Sequence, residues 1–261
     1  MINFSFSYTD LEYFLLIFVR ISMFISLAPF YGMKGVPNQV KIGFSFFISV
    51  LLFPVTQPHE ALVYNTILGY AVIIAKEALA GLLLGYAVSI CTTIVSFAGR
   101  IIDMETGLSM ANLIDPTTKE QSSITGVFYQ YMVTLILMVS GMHRYLIKAL
   151  AETFILIPVN GVVFNTDKIL SAMITFMADY ISIGFRICLP VFAVMILLNA
   201  VLGIMAKVSP QMNMFAVGIQ LKVLVGICVL FFTVGMLPGI SDSIYTEMKR
   251  LMVLFVESMM Q

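Results

Sequence analysis

Residues 66–98 and 169–202 form two long, almost wholly apolar stretches of the chain. Backbone amides and carbonyls cannot be left unpaired in hydrocarbon, and a helix pairs them within a single segment, so stretches of this kind fold as membrane helices. Shorter apolar stretches lie at 11–30, 42–55, 124–142 and 215–240. The 261-residue chain is 60% hydrophobic and 11% charged, with a mean hydropathy of +1.02, whereas an ordinary globular domain carries roughly 25% charged residues. We therefore expect an all-α integral membrane protein of about six hydrophobic helical segments.

The lengths fit a bilayer poorly. A span needs roughly 20 residues for ~30 Å of hydrocarbon, yet 42–55 is short and 66–98 and 169–202 are long. The basic residues give no orientation either. Alternating sides puts Lys34, Lys41, Arg100, Lys119 and Lys207 on one face, against Arg144, Lys148, Lys168, Lys249 and Arg250 on the other. The tie fits helices packed into a larger assembly, and ordinary scatter produces it as well. Asp10 and Glu12 stand where a secretory signal carries basic residues, so the first apolar stretch reads as retained.

Formal net charge is zero and no Lys/Arg run is present, which argues against nucleic-acid binding. Cys91, Cys188 and Cys228 are far apart, lack a Cys-x-x-Cys pair and read as buried small hydrophobes. His59 and His143 form no His-Glu-x-x-His pair. Asp103 and Glu105 point to different faces of a helix and read as solvated or paired loop charges. Ser96, Ser122 and Ser123 have no recognisable base. No enzyme, metal or cofactor is expected.

Charges inside the apolar stretches are Arg20, Lys76, Glu77, Asp179, Arg186 and Lys222. They pair, line a polar lumen or, for Arg20 and Lys222, snorkel from a helix end. In "KEALAGLLLGYAV", Glu77, Gly81 and Gly85 share one helix face at i, i+4 and i+8, where another helix can approach closely. Pro190 should kink or break its helix. A small-solute secondary transporter would use intramembrane charges and a broken helix, but it should also show an internal repeat, and the two halves do not align. In "SPQMNMF", Pro210 starts a turn whose Gln211 and Asn213 either face water or bind a partner.

Three blocks, "KEALAGLLLGYAV", "AGRIIDMETGLSMANLIDP" and "VSPQMNMFAVGIQLKVLVG", in this order resemble the FliR family, with the SctT proteins of virulence systems as relatives. The resemblance implies a core subunit of the flagellar type III export gate in the bacterial inner membrane, within the flagellar basal body. Such a subunit assembles with FliP-type and FliQ-type subunits, alongside FlhA- and FlhB-type export proteins, to form and seal a conduit for unfolded substrates. It implies a FliP-like part at 1–168 and a FliQ-like helical hairpin at 169–261. It also implies that the loop 104–123 enters the channel as a plug, through Met104, Gly107, Leu108, Ser109, Met110, Ala111 and Asn112, with Asp115 and Pro116 ending the inserted stretch. Small residues and soft methionines suit a narrow lumen that must re-pack. Glu77, Gly81, Gly85, Pro210, Gln211, Asn213, Gly218 and Lys222 are then candidates for helix packing or subunit contact, and Gly218 favours the flagellar over the virulence members.

Overall fold

The computed structural model describes residues 8–33, 35–56, 62, 64, 66–110, 123–211 and 213–260, without the side chains of Met214 and Phe215. Among them the helices are α1 (Tyr8–Leu27), α2 (Asn38–Leu52), α3 (Ile67–Thr106), α4 (Ile124–Val139), α5 (Met142–Leu156), α6 (Thr166–Val208), α7 (Met214–Thr233) and α8 (Leu237–Met259). A single 3-10 turn, Val234–Met236, joins the last two. No strand is present among the described residues. The chain is an all-α protein in which Ile67–Thr106, Thr166–Val208 and Ala216–Met259 are long and apolar enough to cross a membrane. The α4–α5 pair adds a fourth span only if the two helices are taken together.

The chain packs as two compact units. One comprises Met1–Cys91, Gly141–Phe176 and Thr246–Gln261, and the other Thr92–Ser140 and Met177–Tyr245. In the first, Leu16, Ile17, Ile21 and Phe24 of α1 bury their side chains together with Leu84 and Val88 of α3, Leu146 and Leu150 of α5, and Met248, Leu251 and Phe255 of α8. The connection after α5 is tied to the end of α8, with Val163 N–H donating to the Met259 carbonyl at 3.1 Å and Asn165 N–H to that of Ser258 at 3.0 Å. In the second unit the core is Ile94, Val95 and Ile102 of α3, Tyr129 and Val133 of α4, and Ile187, Val191 and Met195 of α6. A Cβ on Gly99 would collide with the Gly126 backbone, so α3 and α4 touch main chain to main chain there.

Three sequence expectations need correcting. Residues 142–156 and the part of 237–259 beyond 240 are helical although neither was read as an apolar segment. Both are amphipathic: α5 buries Met142, Leu146, Leu150 and Phe154, and α8 buries Ile244, Met248, Leu251, Phe255 and Met259, with the exposed faces carrying charge that dilutes mean hydropathy. Of the kink or break expected at Pro190, the break does not occur: α6 continues through it as one helix. One lost amide bond is tolerated where the surrounding helix is long and apolar. Cys228 is exposed on α7, whereas Cys91 and Cys188 are buried.

Candidate functional site

The second unit brings the end of α3 to the α6–α7 hairpin. α3 stops at Thr106 because Gly107 takes the left-handed conformation (φ +82°), which a glycine adopts without Cβ strain and which commonly closes a helix. Met104 and Met110 flank this stop and are exposed, while Leu108 and Ser109 are half-buried. Across from them, Asn199 and Leu202 of α6 and Gly218, Ile219 and Lys222 of α7 complete a cavity of about 280 Å³ that Met104, Glu105, Gly107 and Met110 also line. The arrangement therefore joins three of the loop candidates, Met104, Gly107 and Met110, with two of the hairpin candidates, Gly218 and Lys222. Gly218 is buried at close range, where a Cβ would stand 3.5 Å from Leu202 Cδ1. Ala111, Asn112, Asp115 and Pro116 lie outside the described residues.

Asp103 holds the two roots of this segment. It is 2% exposed, one turn before the end of α3. The Ser123 hydroxyl donates to its Oδ2 at 2.6 Å, and the Thr125 amide approaches both carboxylate oxygens at 3.3 Å. Ser123 simultaneously accepts from Gly126 N–H at 2.8 Å as the N-cap of α4. A carboxylate is favoured at a helix N-terminus, where free amides and the macrodipole meet it. Neither Asp103 nor Glu105 is therefore a loop charge: α3 extends past both, and Asp103 is buried and hydrogen-bonded. An acid twenty residues before a Ser that precedes an apolar run was the available sequence signal, and it is a weak one.

Glu77, Gly81 and Gly85 lie in the first unit, against α1 of the same chain. Glu77 is fully buried and accepts from Arg20 Nε at 2.5 Å and from Asn160 N–H at 2.9 Å. Arg20 also donates to the Ile157 carbonyl at 2.9 Å and stacks over the Phe154 ring at 4.4 Å. One helical turn on, a Cβ at Gly81 would collide with the Arg20 carbonyl oxygen, and at Gly85 it would stand 2.8 Å from that of Phe24. Two glycines thus let α1 and α3 approach closely enough for a buried ion pair to form between them. Arg20 is 1% exposed, buried within its own chain.

At the hairpin turn, Pro210, Gln211 and Asn213 are exposed. Asn213 caps α7, its side chain accepting from Ala216 N–H at 3.4 Å. Outside the candidate spans, the Tyr64 phenol donates to Glu12 Oε1 at 2.5 Å, and this carboxylate acceptor holds its pKa above the ordinary tyrosine value. Burial does the same for Tyr31. Among the described residues no three His, Cys, Asp or Glu side chains gather as metal ligands would.

The chain has relatives among known proteins. The family model described as "Bacterial export proteins, family 1" matches residues 11–248. The chain is 32% identical over 235 residues to the flagellar biosynthetic protein FliR of Bacillus subtilis, covering 89% of this chain and 90% of that protein. It is 28% identical to the protein of the same description from Aquifex aeolicus, covering 94% and 93% of the two chains, and 24% identical to that of Escherichia coli, covering 90% and 88%.

Proposed function

The chain belongs to the bacterial export proteins, family 1, and on that premise we propose that it is a core channel and gate subunit of the flagellar type III export apparatus in the bacterial inner membrane. It assembles with FliP-type and FliQ-type subunits, works beside FlhA- and FlhB-type export proteins, and passes unfolded substrates through a conduit it helps to seal. Its contribution is structural and not catalytic. In this reading, residues 1–168 play the FliP-like part and 169–261 supply the FliQ-like hairpin. The observation that carries the proposal is the match to FliR proteins along nearly the whole chain. The flagellar descriptions of the relatives favour a flagellar over a virulence apparatus.

The sealing role rests on the segment 104–123. Its described beginning presents Met104 and Met110 beside a cavity, and its two roots are pinned together by Asp103, Ser123 and Thr125. A segment anchored at its base and lined with soft side chains is suited to filling a lumen and re-packing when a chain passes. Gene deletion combined with mild-detergent purification tests the whole reading. Loss of filaments and of flagellar secretion, with FliP-type and FliQ-type subunits co-purifying from the parent strain, is expected. Normal filaments and secretion in the deletion strain would overturn it, and solute flux by the chain reconstituted alone would replace it with a transporter.

A further inference from the structure

Arg186 is the only charged residue of α6 between Asp179 and Lys207. It is exposed and, among the described residues, has neither an ion-pair nor a hydrogen-bond partner. It lines a cavity of about 390 Å³ within the second unit, between α6 and the junction of α7 with α8. Ile183 and Ile187 of α6, together with Met236 and Ile240, make its walls apolar. Gly235 and Gly239 leave one side bare, and a Cβ added to either would meet nothing within 4 Å. The Ser243 hydroxyl is committed to the Gly239 carbonyl at 3.0 Å, so Arg186 alone among the lining side chains has free donors.

The contact between α1 and α3 shows how this chain holds a cation between apolar helices. There Gly81 and Gly85, four residues apart, bring two backbones together, and Glu77 one turn away meets Arg20 of the approaching helix. Gly235 and Gly239 repeat the four-residue spacing, and Arg186 beside them supplies the cation. Among the described residues, however, no second backbone reaches these glycines and no acid reaches the guanidinium. Asp179 and Asp242 do not line the cavity, and each has an interaction elsewhere. A cation covered by apolar groups without a counter-charge is costly, so an occupant that closes this cavity must bring a negative charge. Bare glycines at that spacing suit the backbone of a helix.

We propose that the cavity is a docking site for a helix of a neighbouring subunit, which seats its backbone on Gly235 and Gly239 and sets an aspartate or glutamate carboxylate against Arg186. The docking rests on the assembly proposed above for the existence of a neighbour, whereas the surface and the acidic residue follow from the cavity itself.

The test places a photo-crosslinking residue at Met236, which lines the cavity and is exposed, in cells that are exporting, and maps the adducts by mass spectrometry. The expected adduct is to a helix of another subunit, within about one turn of an Asp or Glu. Arg186→Gln should reduce it about ten-fold, the worth of one charge-assisted hydrogen bond, and Arg186→Lys should retain most of it. Arg186→Glu should abolish it, and changing the partner's mapped acid to Arg in the same strain should restore it. Gly239→Leu should also remove the adduct while the purified chain melts at or above the parent temperature, because nothing within the chain occupies that space. Arg186→Gln, which breaks no contact within the chain, should melt with the parent. An adduct of parental strength in Arg186→Gln, adducts to lipid alone, or no protein adduct in exporting cells would overturn the docking and leave the export role standing. An acidic helix from a subunit that is neither FliP-type nor FliQ-type would uphold the docking and count against the assembly proposed above.

Discussion

Replacing Glu77 by Leu removes one half of a buried ion pair and leaves the other half in place. Arg20, 1% exposed, keeps only the Ile157 carbonyl and the Phe154 ring, and the Asn160 amide loses its acceptor. Stranding one partner of a buried pair costs roughly 3–5 kcal/mol, whereas the amide of Asn160, an exposed residue, can turn to water at little cost. Glu77→Leu should therefore destabilise the first unit by about 4 kcal/mol. Adding Arg20→Met removes the stranded cation, and apolar replacement of a whole buried pair is often close to neutral. The buried Ile157 carbonyl and the Asn160 amide then lack their partners, so the double variant should recover only part of the loss and be about 2 kcal/mol more stable than Glu77→Leu alone. Thermal unfolding of the purified chain in mild detergent reads this out. At about 2–4 °C per kcal/mol for a protein of this size class, the single variant should melt roughly 10 °C below the parent and the double variant should recover close to half of that. A double variant no more stable than Glu77→Leu would show that Arg20 and Glu77 are not coupled, and the account of the α1–α3 contact would fail.

Gly81→Leu and Gly85→Leu should each cost at least about 3 kcal/mol, because the clash is with α1 backbone that cannot rotate away, whereas half-buried Leu83→Ala should cost about 1 kcal/mol. The loss should be present in the isolated chain before any partner is added, and equal recovery of all three variants would refute the close approach. Asp103→Ala should cost about 2 kcal/mol through loss of the Ser123 and Thr125 hydrogen bonds, with Asp103→Asn milder, and limited proteolysis should cut faster between 107 and 122 in the Ala variant. Unchanged cleavage would show that the carboxylate does not hold the segment's roots. Met110→Cys should react slowly with a water-soluble thiol reagent when export is idle and faster when it is active, and rapid labelling in both states would place the segment in bulk water.

Hydropathy alone was enough to locate α1, α2, α3, α4, α6 and α7, because each presents an apolar stretch to lipid or core. It passed over α5 and the far part of α8, where charges such as Lys148, Glu152, Lys249 and Arg250 offset the buried face. There the signal is periodicity, as in Met142, Leu146, Leu150 and Phe154 at four-residue intervals. The close-packing face of Glu77, Gly81 and Gly85 was legible from its spacing. Its occupant was not, since Arg20 lies 57 residues away in the chain and nothing local marks the two as partners. Asp103 stayed hidden for the same reason: its donors come from α4, and an isolated acid at the end of an apolar stretch resembles any solvated charge.

The central claim is that the stretch beginning at Gly107 seals a conduit and does not hold the complex together. Its most direct test is ion or small-solute permeability of cells, or of reconstituted complex, carrying a deletion of a few residues within Gly107 to Asn112, measured alongside purification of each variant. The account predicts an intact complex with FliP-type and FliQ-type subunits and a membrane measurably leakier than the parent. An intact complex as tight as the parent would contradict it, and loss of the complex would make the segment a structural connection instead of a seal.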